Sequence, residues 1–477
     1  MEKVRLDREF IKRFAIATLL LLWPLILMER PAYFFDTMSY LRGGTYAVSY
    51  VERLVSDRGS ADGPTQADTG ASGQVEAPAA QARGARSIPY SIAVFLLSWP
   101  RDSMLLLAMV QSAAVAFQIA VLSALIGPAS QRRFAGQMAV LSLVSPVAIF
   151  ANYAMPDIFA GLGILAAAIL TIEKTRLSMT ARTIVMVLLA TSATVHASHL
   201  PLLVGLVPIC MAAAWHLAPF PSVRGSAGLA VRLAGPLLAA MALTATSAWI
   251  AYGQSSLAAK RFPLTLARSI EDGPSLWLLR DECRRPRYAV CEVFGTNIPD
   301  TVTKFLWKPT GLDGRATPEQ LDRIRAEEQE IVLRAAERYP SAQAYSLVGN
   351  IWSQLIHFGF ADTYVDQQIV RDGAGSISLR TDPAPWAQRT LWLLACATVI
   401  STILATVALL ALFRRLPADG RALVAVCTCG LVFNAVICAT FSGVADRYQG
   451  RVIWLLPLLV LFLMPAAAHR LRQRKVP

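Results

Sequence analysis

Long runs of apolar residues constrain the fold of this chain more than any other feature of its sequence. A helix needs about 20 apolar residues to cross the hydrocarbon core of a bilayer. Only 16% of the 477 residues are charged, which is fewer than in a typical soluble domain. Ten runs of roughly spanning length recur, at about 13–29, 103–126, 134–151, 157–172, 183–196, 199–217, 229–251, 389–413, 421–441 and 451–468. The sequence therefore predicts an all-α polytopic membrane protein with about ten transmembrane helices.

The positions of Lys and Arg predict how these helices are oriented. Cytoplasmic loops of membrane proteins are enriched in basic residues. Every second connection is basic, whereas the alternate ones carry little net charge; the basic segments are 131–133, 173–182, 222–232, 413–421 and the tail 469–475. We therefore expect both termini in the cytoplasm.

The N-terminal run and the net charge of +13 each raise an alternative. A basic start before an apolar run is typical of a cleaved signal peptide, but no small-x-small cleavage site follows, so we predict a retained first helix. Excess positive charge is typical of nucleic-acid-binding proteins, but no aromatic-basic module is visible. We therefore expect membrane lipid around the chain and no nucleic-acid partner.

Two long segments, 30–102 and 252–388, are predicted to lie outside the cytoplasm. They divide the chain into an N-terminal transmembrane module (1–251), a small cap (252–388) and C-terminal transmembrane helices (389–477). Residues 56–86 are rich in Gly, Ala, Ser and Asp without apolar periodicity, which predicts a flexible insertion in the first outer loop. The stretches "TYAVSYVERLV" and "SIPYSIAVFLLSW" on either side predict short helices along the membrane surface.

The predicted cap contains one clear helix and two cysteines. Thr317 can cap a helix over 317–339 whose apolar stripe comprises Ile324, Ile331, Leu333 and Ala336. Cys283 and Cys291 can form a disulfide if the segment is extracytoplasmic. Spacing alone does not fix the pairing.

Under this topology the distinctive polar residues fall at the outer ends of the predicted spans. They are Asp36, Tyr40, Arg42, Arg86, Tyr90, Asn152, Tyr153, Asp157, His196, His199, Lys260, Arg261, Arg268, Asp446, Arg447, Tyr448 and Arg451. The opposite ends carry mainly basic residues. A functional site is therefore expected to face outward.

Each of these signals also has a simpler interpretation. Asp36 is either an ordinary loop acid or a general base in an apolar setting that raises its pKa. Asp157 either stabilises the N-terminus of a helix or is a second acid that holds a metal or a substrate hydroxyl. His196 and His199, three residues apart, are either hydrogen-bonded interfacial residues or ligands of a phosphate, a sugar or a divalent cation.

Four segments resemble the GT-C superfamily of integral-membrane glycosyltransferases, which includes aminoarabinose transferases of lipid A, protein O-mannosyltransferases and Rgt-type transferases of rhizobia. The segments are "FFDTMSYL", "RSIPYSIAVFLL", "YAMPDIFAGLGIL" and "DRYQGRVIWLLPLL". The resemblance implies a GT-C-like fold in a bacterial inner membrane, with periplasmic juxtamembrane helices and a site that faces the periplasm. The chain departs from the pattern in having one acid in the first-loop motif, the 56–86 insertion and an unmatched region at 260–310.

The resemblance also implies roles for the outer polar residues. Asp36 is expected to be the catalytic base and Asp157 a second catalytic acid, with Tyr40 and Arg42 as positioning residues. The donor would be a sugar on a polyprenyl phosphate, and the acceptor a glycan, lipid or protein of the envelope. Residues expected to bind the substrates are Tyr40, Arg42, Arg86, Tyr90, His196, His199, Lys260, Arg261, Arg447 and Arg451. The enzyme must deprotonate an acceptor hydroxyl and stabilise the departing phosphate.

Two other functions remain open at the level of the sequence. A transporter or flippase of a lipid-linked glycan places charges near the midplane of the membrane and often contains repeats. A membrane acyltransferase would use His196 or His199.

Overall fold

The computed structural model describes residues 4–59, 86–98, 103–127, 130–174, 176–218, 223–285, 287–371 and 377–473. The predicted flexible insertion therefore lies outside the described residues except for its two ends. Residues 56–59 belong to the end of a long helix that begins at Phe35.

Helices account for nearly all regular structure in these ranges. Those of the N-terminal module are α1 (Arg8–Leu21), α2 (Trp23–Met28), α3 (Phe35–Gly59), α4 (Ile88–Leu97), α5 (Leu105–Ile126), α6 (Gln131–Val144), α7 (Val147–Ala151), α8 (Ile158–Ile172), α9 (Met179–Thr194), α10 (His199–His216) and α11 (Val223–Tyr252). The middle segment contains α12 (Leu264–Glu271), α13 (Pro274–Glu282), α14 (Ala289–Phe294), α15 (Val302–Leu306), α16 (Leu312–Arg315), α17 (Pro318–Arg338) and α18 (Pro340–Ile356). The C-terminal part contains α19 (Pro385–Leu412), a 3-10 turn (Phe413–Arg415), α20 (Ala418–Phe441), α21 (Asp446–Ile453) and α22 (Leu455–Gln473).

Seven helical stretches of the described chain are long and apolar enough to cross a membrane. They are Arg8–Met28, Leu105–Ile126, His199–His216, Gly225–Tyr252, Pro385–Arg415, Ala418–Phe441 and Asp446–Pro465. Three shorter apolar helices are Ile88–Leu97, Ile158–Ile172 and Met179–Thr194. These helices confirm a helical, multi-pass type of membrane protein, while the number of ten spans stays a prediction. The short helix α8 is buried along its whole length and forms the centre of the bundle.

The predicted span at 134–151 is not one continuous helix. It is divided into α6 and α7 at Ser145, which has an extended backbone, and Pro146. A residue before proline is sterically biased away from the helical conformation, and proline has no N–H to continue the hydrogen-bond ladder. All five residues of α7 are buried, so this short helix belongs to the core rather than to a lipid-facing span.

The basic connections meet at one end of the bundle. The buried carboxylate of Glu173 accepts hydrogen bonds from Arg182 at 2.9 and 3.1 Å and lies 3.3 Å from Arg232. Asp419 pairs with Arg176 at 2.9 Å. Asp419 belongs to the basic segment 413–421, so this third connection lies at the same end of the bundle. Three of the five basic segments therefore lie together at one end, and the assignment of this end to the cytoplasm stays a prediction.

The middle segment has an apolar core of its own. Residues of α12 to α17 form it, and a disulfide between Cys283 and Cys291 lies in it with a Cα–Cα distance of 5.1 Å. Thr317 caps the start of α17, as predicted, and forms a capping box with Gln320; the helix buries Ile324 and Ile331. Leu333, which the sequence analysis placed on the apolar stripe, is exposed, because the buried face continues through Ala335 instead.

A short hairpin follows this segment and was not predicted. Its antiparallel strands are β1 (Gln367–Arg371) and β2 (Ile377–Thr381). The hairpin lies near α3, because Arg42 of that helix donates a hydrogen bond to the carbonyl oxygen of Ile377 at 2.7 Å. It is the one exception to the all-α class in the described chain.

Helices α3 and α4 pack so closely that a glycine is required between them. A Cβ atom at Gly44 would approach the carbonyl group of Ser91 and lie 2.6 Å from Cβ of Phe95. We expect Gly44→Ala to lower the unfolding temperature in detergent, because forced separation of packed elements costs about 1–3 kcal/mol. Gly136→Ala is the matched control, since nothing lies within 4 Å of its added Cβ and alanine favours helix. Equal unfolding temperatures of the two variants would contradict the close packing.

Candidate functional site

A buried ion pair lies at the end of the bundle opposite the basic connections. Nη1 of Arg451, in α21, is 3.5 Å from the carboxylate of Asp157, and both side chains are almost fully buried. Oδ1 of Asn434 accepts hydrogen bonds from Nη2 and Nε of Arg451 at 2.9 and 3.3 Å. A charge removed from water requires a partner and further hydrogen bonds. Asp157 therefore does more than stabilise the start of α8: its carboxylate compensates a buried guanidinium.

The two histidines lie beside this ion pair. Ser198 accepts a hydrogen bond from Nη2 of Arg451 at 3.2 Å and is 2.8 Å from Nδ1 of His196. The rings of His196 and His199 are 5.0 Å apart, although His196 precedes α10 and only His199 belongs to it. Burial lowers the pKa of His196 well below its usual value, so this ring is neutral at pH 7.

His199 is held in place by a hydrogen bond to the backbone. Its Nδ1 donates to the carbonyl oxygen of Ser192 at 3.0 Å, which leaves Nε2 as an acceptor that is buried without a hydrogen-bond partner. Within the described ranges, no group of three or more His, Cys, Asp or Glu side chains is arranged to hold a metal ion. The two histidines thus supply a polar wall to the site.

A second ion pair lies closer to solvent. Nη2 of Arg86 donates to Oδ1 of Asp36 at 2.6 Å, and each side chain is about one-quarter exposed. Asp36 lies in the first turn of α3, where the partial positive charge of the helix favours a carboxylate. The guanidinium of Arg86 also lies 5.8 Å from the ring centre of Trp307 in the middle segment. Arg86 thus links the acid, the bundle and the segment that covers it.

Tyr40 connects the two ion pairs. It follows Asp36 by one helical turn, is buried, and packs edge-on against Tyr90 with ring centres 4.9 Å apart. Burial raises the pKa of the Tyr40 hydroxyl; the charge of Arg86 opposes this shift, and those of Asp36 and Asp157 add to it. The hydroxyl is therefore within electrostatic range of both carboxylates. The two acids that the sequence placed at one end of the molecule belong to one site.

Arg447 is the third arginine of this site. Its guanidinium lies 4.0 Å from the ring centre of Phe34, a short cation–π distance, and Nη2 donates to the hydroxyl of Tyr448 at 3.3 Å. Charge interactions join it to both Asp157 and Asp36. Its Nη1 is buried without a hydrogen-bond partner in the structure. Arg447 therefore has hydrogen-bonding capacity left for a ligand.

A loop that the sequence analysis did not identify completes the site. Residues 357–364 follow α18 and place Asp362 within electrostatic range of Arg447. The hydroxyl of Tyr153 donates to the carbonyl oxygen of Asp362 at 2.8 Å, and Tyr364 exchanges backbone hydrogen bonds with Tyr33 at 2.8 and 2.9 Å. The signal in the sequence is "HFGFADTY", where a glycine between aromatic residues precedes the acid. Its partners are too distant in the chain for local reasoning to find.

A groove opens beside the Asp36–Arg86 pair. It holds a cavity of about 70 Å³ that opens into solvent, between the start of α4, the ends of α9 and α11, and the segment 253–261. Arg86, His196 and Arg261 line it. Hydroxyl groups and small apolar side chains complete the lining, namely Ser87, Thr194, Leu200, Thr244, Ser247, Ala248, Tyr252, Ser256 and Leu257. The groove can receive an anionic group with an apolar extension.

Most of the predicted site residues meet here, and two lie elsewhere. The structure brings together Asp36, Tyr40, Arg86, Tyr90, Asp157, His196, His199, Arg447 and Arg451, and Arg261 also lines the groove. Arg42 is directed to the hairpin. Lys260 pairs with Asp322 of α17 at 2.6 Å and does not line the groove.

Comparison with known proteins adds no relative: no family model, curated protein or solved structure matches the chain. The functional argument therefore depends on the geometry of the site itself.

The Asp157–Arg451 pair predicts a large effect on stability. Asp157→Ala leaves the Arg451 charge buried and uncompensated, which we expect to cost about 3–5 kcal/mol and to lower the unfolding temperature strongly. The control is Asp419→Ala, because that acid pairs with partly exposed Lys174 and Arg176 and exposed pairs contribute about 0–1 kcal/mol. The double variant Asp157→Ala/Arg451→Gln should regain part of the loss. An unfolding temperature of Asp157→Ala no lower than that of Asp419→Ala would refute the pairing.

Asp362 predicts a dependence of stability on pH. Burial raises its pKa above the ordinary value of 3.8, and Arg447 opposes the shift only in part. A raised carboxylate pKa contributes stability that is present below the ordinary pKa and lost as the pH rises through the raised one. We therefore expect Asp362→Asn to unfold at a higher temperature than the wild type at pH 7, and the gain to vanish near pH 3.8. Thermal unfolding between these pH values measures it.

Asp300→Asn provides the matched control for that titration. Asp300 is exposed, and its hydrogen bond from Lys304 lowers its pKa, so this variant should show no gain at pH 7. A gain in Asp300→Asn equal to that in Asp362→Asn would assign the effect to net charge instead.

Proposed function

We propose that this protein is a membrane glycosyltransferase of the GT-C type, which transfers a sugar from a polyprenyl phosphate to an envelope glycan, lipid or protein. The observation that supports this proposal best is the Asp36–Arg86 pair, whose arginine lines the groove. It presents a carboxylate and a guanidinium side by side, at one end of a bundle of apolar helices. Transfer of a lipid-linked sugar requires a base for the acceptor and a cation for the phosphate.

The groove has the chemistry of a binding site for a lipid-linked phosphate. Arg86 and Arg261 both line it, and guanidinium groups bind phosphate oxygens in pairs of hydrogen bonds. Ala248 lines the groove on α11, while the next residues, Trp249 and Ile250, are exposed on the surface of this spanning helix. In this proposal the phosphate lies in the groove and the polyprenyl chain leaves along α11 into the bilayer.

The transfer step follows from these positions. The acceptor hydroxyl oxygen forms a bond to the anomeric carbon of the sugar while the bond between that carbon and the phosphate oxygen breaks. The polyprenyl phosphate leaves with the electron pair, held by Arg86 and Arg261, and Asp36 accepts the hydroxyl proton. A single displacement of this kind inverts the anomeric configuration.

The Asp36–Arg86 ion pair couples binding of the sugar donor to activation of the catalytic base. Without substrate, Arg86 donates a hydrogen bond to Oδ1 of Asp36 at 2.6 Å, so this carboxylate oxygen is already engaged. A phosphate that binds Arg86 competes for this donor and releases Asp36 to accept a proton. Binding of the donor and activation of the acceptor are then coupled through one guanidinium.

Asp157 has a different role in this proposal. Its carboxylate is buried against Arg451 and has little access to the groove. We therefore assign it as a positioning residue that holds Arg451, Asn434 and the start of α8 in place, rather than as a second catalytic acid.

The role of Asp36 is tested with purified protein in lipid nanodiscs. A panel of undecaprenyl-phosphate-linked sugars is supplied with envelope extract, and release of undecaprenyl phosphate is measured. We expect Asp36→Asn to reduce release by about 100-fold or more, because loss of a general base has this magnitude. The matched control is Asp382→Asn, which removes an acid paired with Arg30 at the same 2.6 Å distance outside the groove and should retain activity.

Two outcomes would contradict the assignment. Equal release by Asp36→Asn and the wild type would remove Asp36 as the base. Movement of the intact lipid-linked sugar between leaflets, without cleavage of its bond to phosphate, would identify a flippase.

A further inference from the structure

Helix α18 exposes an apolar stripe from Tyr345 to its C-terminal end at Ile356. The exposed fractions are 84% for Tyr345, 67% for Val348, 65% for Trp352 and 55% for Ile356. Their spacings of three, four and four residues place them on one face of the helix. Helices that border water carry their polar face outward. The outer face of α18 is therefore unsuited to water.

The opposite face of α18 is polar and bonded to the protein. Asn350 donates to the carboxylate of Asp272 at 3.0 and 3.1 Å, and Ser269 donates to Gln343 at 3.2 Å. The buried side chain of Gln354 donates to the carbonyl oxygen of Ala445 at 3.0 Å and accepts from its N–H at 2.9 Å. These bonds fix the orientation of the helix about its axis. The apolar face is therefore directed away from the rest of the protein.

The position of α18 continues the membrane surface of the bundle. It packs along α20, a helix long and apolar enough to span, and Gln354 holds it at the turn between α20 and α21. The helix contains no charged residue from Pro340 to Ile356. Exposed tryptophans lie at the ends of the two spans that flank the middle segment in the chain, Trp249 near the end of α11 and Trp386 at the start of α19. Aromatic side chains concentrate where a bilayer meets water.

We propose that α18 is a membrane-embedded helix, with Tyr345, Val348, Trp352 and Ile356 immersed at the boundary between lipid headgroups and acyl chains. Its covering partner is the bilayer itself. Helix α18 runs directly into the loop that places Asp362 beside Arg447. Lipid contact thus orients one wall of the candidate site.

The proposal is tested by site-directed spin labelling of the full chain in nanodiscs of phosphatidylcholine and phosphatidylglycerol. Val348→Cys and Trp352→Cys are labelled in a Cys396→Ser background, which removes an exposed free cysteine. We expect oxygen, which concentrates in lipid, to relax both labels several-fold more than the water-soluble complex NiEDDA does. Two label positions keep the test valid if one variant does not fold.

Leu333→Cys on α17 is the matched control. Leu333 is also an exposed apolar side chain, at 53%, but it lies on the helix of the separate core. We expect its label to be relaxed more by NiEDDA than by oxygen. NiEDDA accessibility at 348 and 352 equal to that at 333 would overturn the proposal. Dipolar broadening that vanishes on dilution with unlabelled protein would also overturn it, because a second copy would then cover the stripe.

Discussion

The burial of the Arg451 charge is the constraint on which this end of the structure depends. A guanidinium removed from water is tolerated only where its hydrogen bonds and its charge are both compensated. The compensating groups come from three separate places, with Asp157 before α8, Ser198 before α10 and Asn434 in α20. One side chain of α21 therefore fixes the relative positions of several helix ends, including the fully buried α8.

A difference in solvent exposure separates the two ion pairs of the site. The inner pair, Asp157 and Arg451, is nearly inaccessible, so exchange of its partners for a ligand would leave a bare charge in the core. The outer pair, Asp36 and Arg86, is partly hydrated, and its partners can exchange at modest cost. This difference in solvent exposure is the physical reason to assign a structural role to the inner pair and a catalytic role to the outer pair. Tyr40 lies between them and responds to both.

The sequence predicted the end of the molecule at which the site lies, but not the pairs within it. The alternation of basic and neutral connections predicts that Asp36, Asp157 and Arg451 lie at the same end of the bundle. This prediction requires only the number of spans that separate these residues in the chain. The pairing of Arg86 with Asp36 bridges 50 residues, and that of Arg451 with Asp157 bridges 294. Such contacts depend on tertiary packing, which no local pattern encodes. The break at Pro146 was readable in principle, since proline marks a helix boundary.

The membrane-facing role proposed for helix α18 could not be predicted from the sequence for a different physical reason. Helix α18 is only 17 residues long and mixes Gln, Asn and Ser with apolar residues, so it fails the length and hydropathy expected of a span. The sequence pattern predicts that its polar face meets water. In the structure, however, Gln343, Asn350 and Gln354 on that face form hydrogen bonds to the protein. Amphipathic periodicity identifies two faces but not which of them meets the protein. That choice is made by the hydrogen-bonding groups of the neighbouring elements, here Asp272 and the backbone of Ala445, and it reverses the usual assignment.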